Sequence, residues 1–81
     1  MRSYLKTLGT VLAELRRECG LSQEEVAARA RRHPTYISQL ERGLKAPTVR
    51  TLVLLSDVFG TQASDILKRT EEAMGQNRPP R

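Results

Sequence analysis

The chain has 81 residues and a net charge of +5. That length allows one domain with one core, so we expect no separate ligand-sensing domain. No apolar run approaches the roughly 18 residues that a membrane span needs, and the N-terminus lacks the pattern of a leader peptide, so we expect a cytoplasmic protein. Cys19 and His33 are the only cysteine and histidine. An internal disulfide, a Cys/His metal site and a bound cofactor are therefore not expected.

The basic residues are concentrated in the middle of the chain. Between residues 29 and 50 the only acidic residue is Glu41, and the six basic residues are Arg29, Arg31, Arg32, Arg42, Lys45 and Arg50. This segment alone therefore carries a net charge of +5. Such a segment indicates a polyanionic partner such as nucleic acid, although exposed arginines and lysines also form ordinary solvated surfaces.

Apolar periodicity and capping residues predict two helices in the first part of the chain. The apolar positions from Leu5 to Cys19 follow one helical face, and Gly20 is typical of the residue just beyond a helix. The sequence Ser22-Gln23-Glu24-Glu25 has the form of a capping box, which starts a second helix at Gln23. That helix is only about two turns long, so it needs neighbours to be stable.

Three more helices follow, bounded by a proline, a threonine cap and glycines. They are expected from Pro34 to Gly43, from Val49 to Phe59, and roughly from Ala63 to Met74. Residues 75–81 contain glycine, asparagine and two prolines, which is typical of a disordered tail. No strand pattern appears in the sequence. The predicted fold is therefore all-α, with one domain over residues 1–74.

The second and third helices form the informative unit. They are short, and the turn between them has three residues, Arg31-Arg32-His33. Two short helices joined in this way are typical of the helix-turn-helix motif, which presents its second helix to a groove of DNA. Helical hairpins also occur in bundles that bind nothing, so the spacing alone does not decide the function.

Residue identities in this unit add a family resemblance. The stretches LSQEEVA, residues 21–27, and TYISQLERG, residues 35–43, resemble the Cro and phage-repressor-like helix-turn-helix family. The likeness covers roughly residues 8–67. Within the family, the Thr-Tyr-Ile-Ser and Glu-Arg-Gly run is most similar to short stand-alone regulators, including the controller proteins of restriction-modification systems. The resemblance implies a compact five-helix, lambda-repressor-like DNA-binding domain.

The resemblance also implies which side chains contact DNA. Bases in the major groove should be read from the N-terminal half of the third helix by Pro34, Thr35, Ser38 and Gln39. Phosphates should be held by the surrounding residues Gln23, Arg32, His33, Tyr36, Arg42 and Lys45. Three of these residues have simpler alternatives: Gln23 starts a helix, Ser38 fills space, and the Tyr36 ring packs on the flank of the motif.

Two further expectations follow from comparison with the family pattern. The family pairs an arginine near the end of the first helix with a glutamate at the end of the third, and Arg16 and Glu41 match these positions. The turn departs from the pattern, because Arg31 and Arg32 replace the usual glycine and apolar residue. A left-handed Arg31 would cost on the order of 1 kcal/mol, so the alternative is a turn of different shape in which these arginines face phosphates.

The fourth helix has more apolar residues than a short core helix needs. We expect its inward face to consist of Val49, Leu52, Leu55 and Phe59. The surplus residues and one residue of the fifth helix then predict a two-fold dimer interface formed by Val53, Leu54, Val58 and Ile66. The alternative is a locally apolar surface. A dimer would place two recognition helices about 34 Å apart, as an inverted repeat requires.

Together these features predict a homodimeric transcriptional regulator that binds double-stranded DNA and is associated with the nucleoid. The alternative is an antitoxin-type protein that binds a partner toxin as well as its operator, although only residues 75–81 are left for a toxin-binding segment. Co-purification with a partner would distinguish the two. An enzyme is not expected, because Cys19 and His33 fall on different elements and no glycine-rich phosphate loop follows a strand.

Overall fold

The computed structural model describes residues 1–75 and contains, within them, five helices and no strand. The helices are α1 (Arg2–Glu18), α2 (Gln23–Ala30), α3 (Pro34–Glu41), α4 (Val49–Phe59) and α5 (Ala63–Gly75). The all-α prediction is confirmed, and α4 has the predicted bounds. α5 extends one residue further than expected, so Gly75 completes a helix instead of starting the tail. The rest of the predicted tail, residues 76–81, lies outside the described residues.

The local signals in the sequence act as capping interactions. In the capping box of α2, the Ser22 hydroxyl accepts a hydrogen bond from the Glu25 amide at 3.0 Å, and the Glu25 carboxylate accepts one from the Ser22 amide at 2.9 Å. The Thr48 hydroxyl accepts from the Thr51 amide at 3.1 Å at the start of α4. These bonds satisfy amide groups that have no partner inside the helix.

The core lies where all five helices meet. α1 packs against α3 and α5, and α2 packs against α3 and α4. The largest fully buried side chains come from four of the helices and are Leu40, Leu55, Ile66, Val26 and Thr70. No helix within residues 1–75 has both the length and the apolar content needed to cross a bilayer.

One apolar residue that was predicted at the surface is buried, and one that was predicted in the core is exposed. Ile66 is only 1% exposed, because it points into the core from α5, and its assignment to a dimer interface is wrong for this fold. Val49 is 80% exposed and does not face inward. The inward face of α4 begins two residues later, at Thr51 and Leu52, so the first residue of the helix remains outside.

α1 and α3 approach each other closely at Gly9. A Cβ atom at this position would lie 2.5 Å from the Leu40 carbonyl oxygen and 2.8 Å from the Glu41 carbonyl carbon. These distances are far below van der Waals contact, so the approach requires the absence of a side chain. Gly9 thereby allows the C-terminal end of α3 to rest directly on α1.

Candidate nucleic-acid interface

The turn between α2 and α3 keeps the geometry for which glycine is the usual choice. Arg31 has φ 55° and ψ 50°, which is the left-handed conformation. The Arg32 amide donates to the Ala27 carbonyl at 2.9 Å and so closes the end of α2. An L-residue adopts this conformation at a cost of about 1 kcal/mol. The turn thus retains its shape, and the strain is carried by Arg31.

Arg32 connects this turn to α4. Its Nε and Nη2 atoms donate to the Thr51 hydroxyl at 3.4 and 3.3 Å. Its Nη1 atom donates to the carbonyls of Arg31 at 3.0 Å and Ala30 at 3.4 Å. Four of the five guanidinium N–H groups are therefore used within the protein. These bonds give Arg32 a structural role, and one N–H group remains for the phosphate contact predicted for this residue.

His33 forms the N-terminal cap of α3. Its Nδ1 atom accepts a hydrogen bond from the Thr35 amide at 3.0 Å, and Pro34 follows as the first helical residue. The side chain is exposed, and Nε2 remains available to an external partner. The sequence reasoning missed the capping role, although a polar side chain directly before a proline at a helix start was a usable signal.

The outer face of α3 brings the predicted base-reading residues together. Positions 34, 35, 38 and 39 lie on the side of the helix opposite to the buried pair Ile37 and Leu40. Thr35 is exposed, and the other three are half-buried. Tyr36 is also half-buried and packs against the core, as its alternative interpretation suggested. These four residues form a short, mainly polar ridge along the outer face of α3.

Positive charge lies directly after this ridge. Arg42 and Lys45 are both exposed, and within residues 1–75 neither takes part in an ion pair. They follow the end of α3 in the loop that leads to α4. Cations in this place can meet phosphates along one edge of a groove that α3 would enter.

Glu41 joins three helices at the base of the recognition unit. Its carboxylate accepts hydrogen bonds from Arg16 Nε at 2.7 Å and Arg16 Nη2 at 3.1 Å, and from Gln23 Nε2 at 3.0 Å. The side chains of Arg16 and Glu41 are only 14% and 8% exposed. The hydrogen bond that Arg16 donates to Glu41 raises the pKa of the Arg16 guanidinium, so Arg16 stays charged. The ion pair expected between Arg16 and Glu41 is present.

Gln23 is positioned by the same carboxylate. The sequence reasoning placed it on a phosphate and missed its bond to Glu41. One N–H of the amide is used in this bond, which leaves the second N–H for an external acceptor. Gln23 therefore starts α2, binds Glu41 and retains one donor at the N-terminal end of the helix.

The predicted dimer residues of α4 differ in their exposure. Val53 is 44% exposed, while Leu54 and Val58 are half-buried and Val58 packs against the core. Val49, one turn before Val53, extends the apolar surface. The exposed apolar side of α4 is thus centred on Val53.

Among residues 1–75, no three His, Cys, Asp or Glu side chains cluster closely enough to hold a metal ion.

Comparisons with known proteins agree with this geometry. A helix-turn-helix family model matches residues 12–66. Over 67 residues the chain is 45% identical to y4dJ, an HTH-type transcriptional regulator of Sinorhizobium fredii, with coverage of 83% of this chain and 87% of that protein. The clp gene regulator ClgR from Corynebacterium glutamicum is similar in structure, with a TM-score of 0.86, 28% identity, and coverage of 91% of this chain and 79% of the other. The restriction-modification controller protein C.AhdI from Aeromonas hydrophila is also similar, with a TM-score of 0.75, 27% identity, and coverage of 76% and 94%.

Proposed function

Because the chain belongs to the helix-turn-helix family of transcriptional regulators, we propose that it binds a specific DNA sequence as a homodimer, with α3 in the major groove. One observation carries this proposal. The polar ridge of α3 is rigidly mounted, because Glu41 ties α3 to α1 and α2 while Arg32 ties the preceding turn to α4. A recognition helix needs such a mounting to read bases at fixed positions.

The ridge provides the base contacts. The Gln39 amide can bind the N6 and N7 edge of an adenine through two hydrogen bonds, which contributes about 1 to 3 kcal/mol of discrimination. Thr35 offers a methyl group to thymine or a hydroxyl to a neighbouring base. Pro34 and Ser38 complete the surface that faces the base edges.

The flanks provide the phosphate contacts. Arg42 and Lys45 act as cations on one side of the ridge. The remaining donors of Gln23, Arg32, His33 and Tyr36 add hydrogen bonds around it. These contacts fix the orientation of the domain on the duplex and carry no sequence information themselves.

Dimerisation would use the exposed side of α4, with Val53, Leu54 and Val58 meeting their symmetry mates. Ile66 has no part in this interface, since it belongs to the core. A two-fold axis here would present two α3 helices to an inverted repeat. The similarity to C.AhdI supports a specific version of the proposal, in which the protein controls a restriction-modification system and its own gene.

The test is fluorescence-anisotropy binding to the DNA upstream of its own gene and to random duplex. Gln39→Ala should reduce the preference for the upstream DNA by about 5- to 150-fold, because it removes base contacts. Arg42→Ala should weaken binding to the upstream DNA and to the random duplex equally, because a phosphate contact is independent of sequence. A folded protein that binds neither duplex contradicts the proposal. A toxin that co-purifies with a protein that also binds the upstream DNA would support the antitoxin alternative.

A further inference from the structure

A groove lined by arginines lies beside the recognition unit. Its volume is about 450 Å³, and it is bounded by the end of α2, the following turn and the first two turns of α4. The residues that line it are Arg29, Ala30, Arg31, Arg32, Arg50 and Leu54. We call it the arginine groove.

No guanidinium of the arginine groove forms an ion pair within residues 1–75, and the one carboxylate whose charge interacts with the groove is Glu25, one helical turn before Arg29. The ion pairs found in this part of the chain involve Arg16 or Arg69. Arg32 is bound to a hydroxyl and to carbonyl oxygens, which leave its charge uncompensated. Four cations around one concave surface raise the local positive potential. The groove therefore suits an anionic partner.

Two of these arginines also stand where local structure disfavours them. Arg31 holds the left-handed conformation, which glycine would adopt without strain. Arg50 is the second residue of α4, and the positive end of a helix dipole disfavours a cation there. Residues that break local rules without a compensating gain inside the fold are typical of functional sites. Both exceptions converge on the same groove.

We propose that the arginine groove binds the sugar-phosphate backbone of the DNA, beyond the base pairs that α3 reads. This inference rests on the proposed DNA-binding function. Arg31 precedes Pro34 by three residues, so their Cα atoms are at most about 11 Å apart and a strand that passes α3 comes within reach of the groove. Guanidinium groups bind phosphate through paired hydrogen bonds, so the arginines of the groove suit this backbone.

The groove also has a defined place in the proposed dimer. Leu54 belongs both to the groove and to the exposed side of α4 that would form the interface. In the dimer, each groove would therefore border the two-fold axis, above the centre of the inverted repeat. The contacts there would add affinity without adding base preference, because every sequence presents the same phosphates.

The test compares two variants and a matched control by measuring DNA affinity as a function of salt concentration. The variants are Arg31→Gly and the double substitution Arg29→Gln with Arg50→Gln. The control is Arg2→Gln with Lys68→Gln, which removes the same charge as the double variant from exposed positions outside the groove. Binding to the upstream DNA and to random duplex is measured for each protein.

Each lost phosphate contact should reduce the slope of log affinity against log salt by about 0.9. We expect a reduction of about 0.9 for Arg31→Gly, about 1.8 for the double variant and no comparable reduction for the control. The ratio of upstream to random affinity should stay at the wild-type value. Arg31→Gly should also melt at a higher temperature than the wild type, because glycine relieves the strained turn. Higher stability with weaker DNA binding cannot result from misfolding.

The outcomes separate this inference from the proposed function. If the wild type prefers the upstream DNA and the variants keep its salt slope, the arginine groove does not contact DNA, while the regulator function stands. If the control reduces the slope as much as the double variant, the effect comes from net charge and the groove has no special role. If the wild type binds neither duplex, the proposed function itself fails.

Discussion

Removing the Glu41 carboxylate should destabilise the protein more than removing any exposed carboxylate. Glu41→Ala leaves the Arg16 guanidinium without its partner in a place where the side chain is only 14% exposed. Stranding one charge of such a buried pair costs about 3 to 5 kcal/mol. Since folded proteins have a total stability of about 5 to 15 kcal/mol, the variant should lose a fifth or more of its free energy of unfolding.

Urea denaturation followed by circular dichroism provides the assay. Glu14→Ala is a matched control, because Glu14 pairs with Arg69 at 3.4 Å on the surface, with both side chains more than a third exposed. That substitution should cost less than about 1 kcal/mol. Glu41→Gln keeps the size of the side chain and should lose less stability than Glu41→Ala. It therefore provides a measurable variant if Glu41→Ala does not fold.

A double-mutant cycle isolates the interaction. Arg16→Met with Glu41→Gln should be less destabilised than the sum of the two single changes, by about 1 to 3 kcal/mol. A coupling energy near zero would refute the reasoning, because it would mean that the ion pair does not support the recognition helix. So would a Glu41→Ala variant that is as stable as Glu14→Ala.

Three other substitutions test the packing, the capping and the turn. Gly9→Ala should lower the melting temperature, because the clash with α3 removes about 1 to 3 kcal/mol of stability. The same change in a free helix raises the melting temperature, so a higher value here would contradict the close approach of α1 and α3. The hydrogen bond from the Ser22 amide lowers the pKa of Glu25. The Glu25 carboxylate therefore stabilises the fold fully above its ordinary pKa of 4.5, and this stabilisation is lost as the pH falls through the lowered value. Melting temperatures measured between about pH 5 and pH 3 should therefore fall less for Glu25→Gln than for the wild type, and equal falls would count against the capping box. Thr51→Val removes the acceptor of Arg32 and should cost about 1 to 3 kcal/mol in urea denaturation, while an unchanged midpoint would show that Arg32 is not held by α4.

Local chemistry in the sequence was enough to predict the five helices. The capping box at Ser22 and the threonine at position 48 mark helix starts that depend only on neighbouring residues, and both caps form as expected. Gly60 adopts a left-handed conformation directly after α4, as a helix-ending glycine should. Such signals act over three or four residues, so they can be read without knowledge of the fold.

The sequence was less informative where a residue depends on distant neighbours. Ile66 and Val49 have the same apolar character, but the packing of α5 buries one and the start of α4 exposes the other. The family resemblance implied phosphate contacts for Arg32 and Gln23, which stay predictions, but the sequence did not show what these side chains bind inside the protein. Their bonds to Thr51 and Glu41 join residues 18 or more positions apart, and only the folded chain reveals them. The Arg16 to Glu41 pair was found because the family resemblance supplied that long-range information.

The central claim is that a dimer reads DNA through α3, and selection from a random duplex library tests it most directly. The wild type and Gln39→Ala would each be taken through rounds of binding, and the enriched sequences compared. We predict that the wild type enriches an inverted repeat with half-site centres about 10 base pairs apart, and that Gln39→Ala loses preference at one symmetric pair of positions. Enrichment of no common sequence by the folded wild type, or the same sequence enriched by both proteins without change, would contradict the role of α3.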